Sequence, residues 1–167
     1  GAAFGDLAPL APKLASYALS FVYLSIYWHN HHHMLQAAQR IDGATLWANS
    51  ALLFCLSFVP FATSWIGETR FAATPMGVYG AMLLSSGICY TLLSSALKRV
   101  NGADSKFAEG LGADAKGKIS LAIYAVGIAT SPWAPALSGG LYALVAALWL
   151  IPDKRFARVT SEAGGAK

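Results

Sequence analysis

Two runs of 23 residues, 44–66 and 75–97, contain no charged side chain. Crossing the hydrocarbon core of a bilayer takes about 20 predominantly apolar residues as a helix, so each run is long enough by itself. This feature removes most alternative folds. In lipid every backbone N–H and C=O must be satisfied within the protein, which leaves helices or a closed barrel. Barrel strands are only about 9–11 residues long and alternate in polarity. Neither run shows that alternation. Three more apolar segments, 14–28, 119–133 and 137–151, are shorter and reach span length by recruiting interfacial neighbours. The first continues through a histidine cluster to Leu35, and the last two meet at a turn marked by Pro132 and Pro135. The expected fold is all-α: a polytopic membrane helix bundle forming one integral membrane domain over 1–167, with spans at about 14–35, 44–66, 75–97, 119–133 and 137–151. Composition agrees, since charged residues make up 12 % of the chain, about half the share usual in soluble domains.

Alternating five spans across a membrane sorts the basic residues. One face receives Arg40, then Lys98, Arg99, Lys106, Lys116 and Lys118, and finally Lys154, Arg155, Arg158 and Lys167, ten of the twelve in the chain. The other face holds Lys13 and Arg70. The excess of Lys and Arg on cytoplasmic loops makes the first face cytoplasmic. The formal charge of +4 is then a matter of topology and anionic lipid, with no nucleic-acid partner required. The C-terminus is expected inside and Gly1 outside, an export that a further helix upstream of Gly1 would explain. No signal peptide is read at the start. The segment 98–118 is rich in Gly, Ala and charge, lacks a phosphate-cradling motif, and is expected to be a mobile cytoplasmic connector.

All four histidines fall in one stretch, "WHNHHH" at residues 28–33. At 100° per residue His29, His32 and His33 share an arc of about 100°, while His31 points the other way. His29 and His33 are spaced for shared metal coordination, yet no acidic or thiolate ligand lies near them, so no metal and no cofactor is assigned. The short connection through Arg40 and Asp42 sets "LWAN" at residues 46–49 level with the histidines. A membrane asparagine commonly bridges helices, for about 1 kcal/mol. His29, His31, His32, His33, Trp47 and Asn49 are therefore expected to form an interhelical polar node rather than a catalytic centre. Ser50, Ser57, Thr63 and Ser64 either bond across helices or return a hydrogen bond to the preceding turn. No nucleophile–base pair is arguable, and the chain is not expected to be an enzyme. Cys55 and Cys89 each lie inside an expected span, where such a side chain packs, and two isolated thiols make neither a disulfide framework nor a zinc motif. The five tryptophans, at 28, 47, 65, 133 and 149, fall near span ends like an interfacial belt.

The stretches "SYALSFVYLSIYWHNHHHML", "GATLWANSALLFCLSFVPFATSWIGE" and "LYALVAALWLIPDKR" together resemble the bacterial relatives of the endolysosomal potassium channel, transmembrane protein 175. The resemblance runs from about Leu7 to Arg158. It implies a six-helix subunit, assembled as a tetramer in the bacterial inner membrane, in contact with lipid and passing potassium ions. It further implies that a first helix, marked Arg-x-x-x-Phe-Ser-Asp, lines the pore, and that the "WHNHHH" and "LWAN" motifs dock against that signature. The "AAFGD" at residues 2–6 is not this signature, because no Arg stands four positions before Phe4. Five spans of the six-helix pattern are visible. Two functional readings follow: scaffold helices of a potassium-permeable cation channel subunit, or a non-conducting accessory subunit of a larger membrane assembly, in contact with lipid or pigment.

Overall fold

The computed structural model describes residues 11–111 and 114–150, and among them the regular structure is entirely helical. Seven helices follow one another: α1 (Ala11–Ala37), α2 (Gly43–Ser57), α3 (Val59–Glu68), α4 (Ala73–Asn101), α5 (Lys106–Leu111), α6 (Ala115–Thr130) and α7 (Pro135–Leu150). The expectations for Gly1, for residues 2–6 and for the basic tail 154–167 lie outside the described residues. By length and composition two helical stretches can cross a membrane, Gly43–Glu68 and Ala73–Asn101; α7 is apolar but shorter.

The first of those stretches is two helices, not one. Pro60 sits in the first turn of α3. It carries no N–H for a helical bond to the preceding turn, and its ring crowds the backbone there. Phe58 absorbs the break, its N–H turning back to the Cys55 carbonyl at 3.3 Å. The start of α2 is fixed by Asp42, whose carboxylate accepts from the Thr45 backbone N–H at 2.8 Å and from the Thr45 hydroxyl at 2.7 Å, satisfying donors that the first turn leaves unpaired. Asp114 does the same for α6 through the Gly117 N–H.

α4 is the central post and packs against α2, α3, α5, α6 and α7. Its buried positions, Met76, Gly80, Leu83, Ser86, Tyr90, Leu93 and Leu97, recur every three or four residues, the spacing of one helix face. The inward stripes of α6 (Gly117, Ser120, Tyr124, Gly127) and of α7 (Ser138, Tyr142, Val145) are built from small residues and tyrosine. Lipid is as apolar as a leucine side chain, so helices associate there by close fit, which small residues permit. At two points glycine is required: a Cβ on Gly80 or Gly127 would run into the Tyr142 ring.

α1 packs mainly along α3. Between α1 and α2 lies an open, apolar groove of about 580 Å³, walled by Phe21, Leu24, Trp28 and His31 on one side and Leu53 and Leu56 on the other. The corner between α1 and α2 is tied to the end of α4. Asn101 accepts from the backbone N–H groups of Gln39 and Arg40 at 2.8 and 2.9 Å and donates to the carbonyls of Arg40 and Leu97. Arg99 pairs with Asp42 at 3.0 Å. These ties gather the C-terminal ends of α1 and α4 and the start of α2 at one end of the bundle. Within the segment after α4, α5 buries Phe107 in the core cluster of Met34 and Leu97 at that end.

Candidate functional site

Of the four histidines, the one pointing away from the others is the one that meets α2. His31 is buried, and its Nε2 stands 2.7 Å from Asn49 Oδ1. Oδ1 only accepts, so Nε2 of His31 carries the proton. His29 and His33 pair with each other, Nε2 to Nε2 at 3.1 Å, so one ring donates and the other accepts. The buried Nδ1 of His33 has no hydrogen-bond partner among the described residues. His32 stacks on Trp28 with ring centroids 5.9 Å apart. Trp47 points out of the fold, 79 % exposed. The six residues thus divide into a half-buried His31–Asn49 contact between helices, a histidine pair and a stacked ring on the outside of α1, and an outward tryptophan. No group of three or more metal-ligating side chains converges among the described residues.

Behind the histidines is a network that the motif-based reading did not single out. Asn30, buried in the same stretch, donates through Nδ2 to the Ile26 carbonyl at 2.9 Å and across the bundle to the Trp149 carbonyl at 3.1 Å. Trp149 itself turns inward, against the expectation of an interfacial belt. Its Nε1–H donates to Ser120 Oγ at 2.9 Å, Lys116 lies 4.9 Å over its ring, and Tyr90 meets it edge-on. A membrane tryptophan with so many polar neighbours is held by them rather than by the headgroup layer. Deeper in, the Tyr23 and Tyr124 hydroxyls lie 2.8 Å apart. Tyr79 packs edge-on against both Tyr23 and Tyr142, and Tyr142 donates to the Met76 carbonyl. Six of the seven tyrosines, all but Tyr17, line this interior. The signal was present: Tyr23 and Tyr27 stand one helical turn apart, and Tyr79, Tyr90, Tyr124 and Tyr142 sit within apolar runs, away from an interface where a phenol would reach water.

The space these groups enclose is small. Tyr23, Tyr27, Asn30, Tyr90, Tyr124 and Trp149 surround a cavity of about 30 Å³, room for little more than a water molecule. Packed rings and paired hydroxyls fill the core of this helix set. Of the other hydroxyls, Ser50, Ser57 and Thr63 return bonds to the carbonyls of Leu46, Phe54 and Val59, while those of Thr130 and Ser138 meet between α6 and α7 at 3.0 Å. At the loop, Asp42 stays ionised to lower pH than an ordinary carboxyl, first because Thr45 donates to it from side chain and backbone, and also because Arg99 stands beside it.

The family described as endosomal/lysosomal potassium channel TMEM175 matches residues 1–60. A protein named as a potassium channel in Chryseobacterium sp. (strain P1-3) is 44 % identical over 162 residues, which cover 97 % of this chain and 84 % of that protein. Proteins named as potassium channels in Streptomyces collinus and Chamaesiphon minutus are 27 % and 30 % identical over 49 % and 53 % of this chain, covering 42 % and 45 % of their own lengths. No solved structure matches. With nearly the whole chain aligned to such a relative, this integral membrane protein belongs to the family of the endosomal/lysosomal potassium channel TMEM175.

Proposed function

We propose that the chain is a subunit of a potassium-permeable cation channel, and that its described helices are the scaffold holding a pore-lining element. The observation that carries the channel reading is the 44 % identity, over 97 % of the chain, to a protein named as a potassium channel. The scaffold reading is supported by the interior. A bundle whose core is tyrosine rings around about 30 Å³ of free space offers ions no lumen of its own. The spans also lack intramembrane acidic residues and a carbonyl-filter sequence of the TVGYG kind. The conduction path then lies on the outside of this helix set, between subunits, around an apolar helix of the family's pore-lining type that the described residues do not include.

Five spans cross the bacterial inner membrane in this reading, at about 14–35, 44–66, 75–97, 119–133 and 137–151, with 98–118 a cytoplasmic connector. Support comes from the end of the bundle that gathers Arg40, Lys98, Arg99 and the start of α6 with Lys116 and Lys118, opposite the turn carrying Arg70. The C-terminus is cytoplasmic, the N-terminus of the chain is extracytoplasmic, lipid covers the outer faces, and copies assemble as a homo-oligomer, a tetramer by resemblance. His29, His31, His32, His33, Trp47 and Asn49 form the polar node at the cytoplasmic end. Its His31–Asn49 contact closes one end of the α1–α2 groove, and the groove receives the pore-lining helix.

Potassium flux into liposomes tests this, comparing the chain by itself with the same chain carrying a family first helix fused before Gly1. Flux only from the fusion is expected. Selective flux from the unfused chain would overturn the scaffold reading. Absence of flux from both would overturn the channel reading and leave an accessory subunit.

A further inference from the structure

Cys55 and Cys89 are 34 residues apart in the chain, yet their Sγ atoms lie 3.8 Å apart across the α2–α4 contact. Both thiols are free and partly buried. A disulfide closes at about 2.05 Å between sulfurs, so the two atoms already touch and need move only about an ångström each on side-chain rotation. The helices that carry them pack extensively against one another, with Cys89 also held against the core cluster of Leu52, Leu56 and Leu93. Cys55 lies in the last turn of α2, immediately before the break at Phe58.

We propose that Cys55 and Cys89 are a dithiol modification site, at which a neutral oxidant of the peroxide class closes an intramolecular disulfide that staples α2 to α4. In the first step the sulfur of one cysteine attacks a peroxide oxygen. The O–O bond breaks, water leaves, and that cysteine becomes a sulfenic acid. In the second the other thiol attacks the sulfenic sulfur. The S–S bond forms, the S–O bond breaks, and a second water departs with the remaining proton. Two thiols and one peroxide thus give one disulfide and two waters. The oxidant has to be uncharged because the pair sits inside apolar helices. The crosslink fixes α2 to the central post on one side of the break and adds no tie to α3 on the other.

The test uses the full chain in membranes, treated with hydrogen peroxide, alkylated under denaturing conditions and digested with trypsin. Cleavage after Arg40, Arg70 and Lys98 puts one cysteine in peptide 41–70 and the other in peptide 71–98. The expected product is these two peptides joined, lighter by two hydrogens and separated again by reductant, with both thiols lost to alkylation together and the protein still a single chain on a denaturing gel. Cys55→Ser and Cys89→Ser each abolish the joined peptide. The inference is overturned if both thiols stay alkylatable under conditions that oxidise a Ser57→Cys control lacking the native pair. It is equally overturned if the oxidised product is a crosslink between chains or a separate acid on either sulfur.

Discussion

At the scale of single residues, the His31–Asn49 bond carries more than its size because it joins helices that otherwise diverge around a groove. His31 is buried and Asn49 half-buried, so losing one partner leaves the other short of a hydrogen bond. Measured couplings of this kind inside membranes average about 0.6 kcal/mol and reach about 2 kcal/mol. Replacing Asn49 with Leu is expected to lower the thermal midpoint in detergent while metal content stays unchanged. A double-mutant cycle with His31→Ala should return a coupling within roughly that range. A coupling of zero would assign the 2.7 Å contact no energetic role. The proximity of these two residues was legible because depth along two helices joined by a short connection is something a linear sequence encodes. The rotation of each helix was not. Where both lipid and core are apolar, the contrast that reveals an inward face in a soluble helix is missing. For this reason the pairing of the tyrosines with one another, the inward turn of Trp149 and the meeting of Cys55 with Cys89 all required the structure.

At the scale of helices, two features make opposite demands on small changes. The α4, α6 and α7 contact is closed by the Tyr142 ring lying over Gly80 and Gly127, whereas a Cβ on Gly140 would meet nothing within 4 Å. Gly127→Ala should therefore destabilise by about 1–3 kcal/mol, the usual result of overfilling a packed contact. Gly140→Ala should be neutral or stabilise by up to about 1 kcal/mol through helix propensity. Thermal melts of the two variants side by side decide the matter. The α2 start behaves differently because it depends on ionisation. Asp42 is a carboxylate whose folded pKa is depressed by Thr45 and Arg99. Its contribution is complete above the ordinary carboxylate value of about 4 and is lost as pH falls through the lower folded value. An Asp42→Ala variant should melt a few degrees below the native chain at neutral pH, with the gap narrowing as the medium is acidified. A gap that stays constant with pH would remove the charge from the explanation. The α2–α3 break was also readable in principle, since Pro60 interrupts the run 44–66; length and hydrophobicity alone drew it as one span.

At the scale of the whole molecule, the alternation of the helices makes a prediction about sides. Position 103 follows α4 in the exposed connector, and Ala72 is exposed at the opposite end, beside the α3–α4 turn. In a chain whose native thiols are replaced by serine, a membrane-impermeant maleimide added to intact cells should label Ala72→Cys and leave Ala103→Cys untouched until the cells are opened. The reverse pattern would invert the orientation. Position 103 is preferable to the neighbouring Ser105, whose hydroxyl bonds to the Gly102 carbonyl and receives the Ala108 N–H. The Asn101 side chain, which holds the chain at residues 39 and 40 as well as its own helix at Leu97, gives this end of the protein the mechanics of a latch. With that latch fastened, a pull on the connector beyond Gly102 reaches the α1–α2 corner at Gln39 and Arg40 through the same side chain, a short route toward the mouth of the groove.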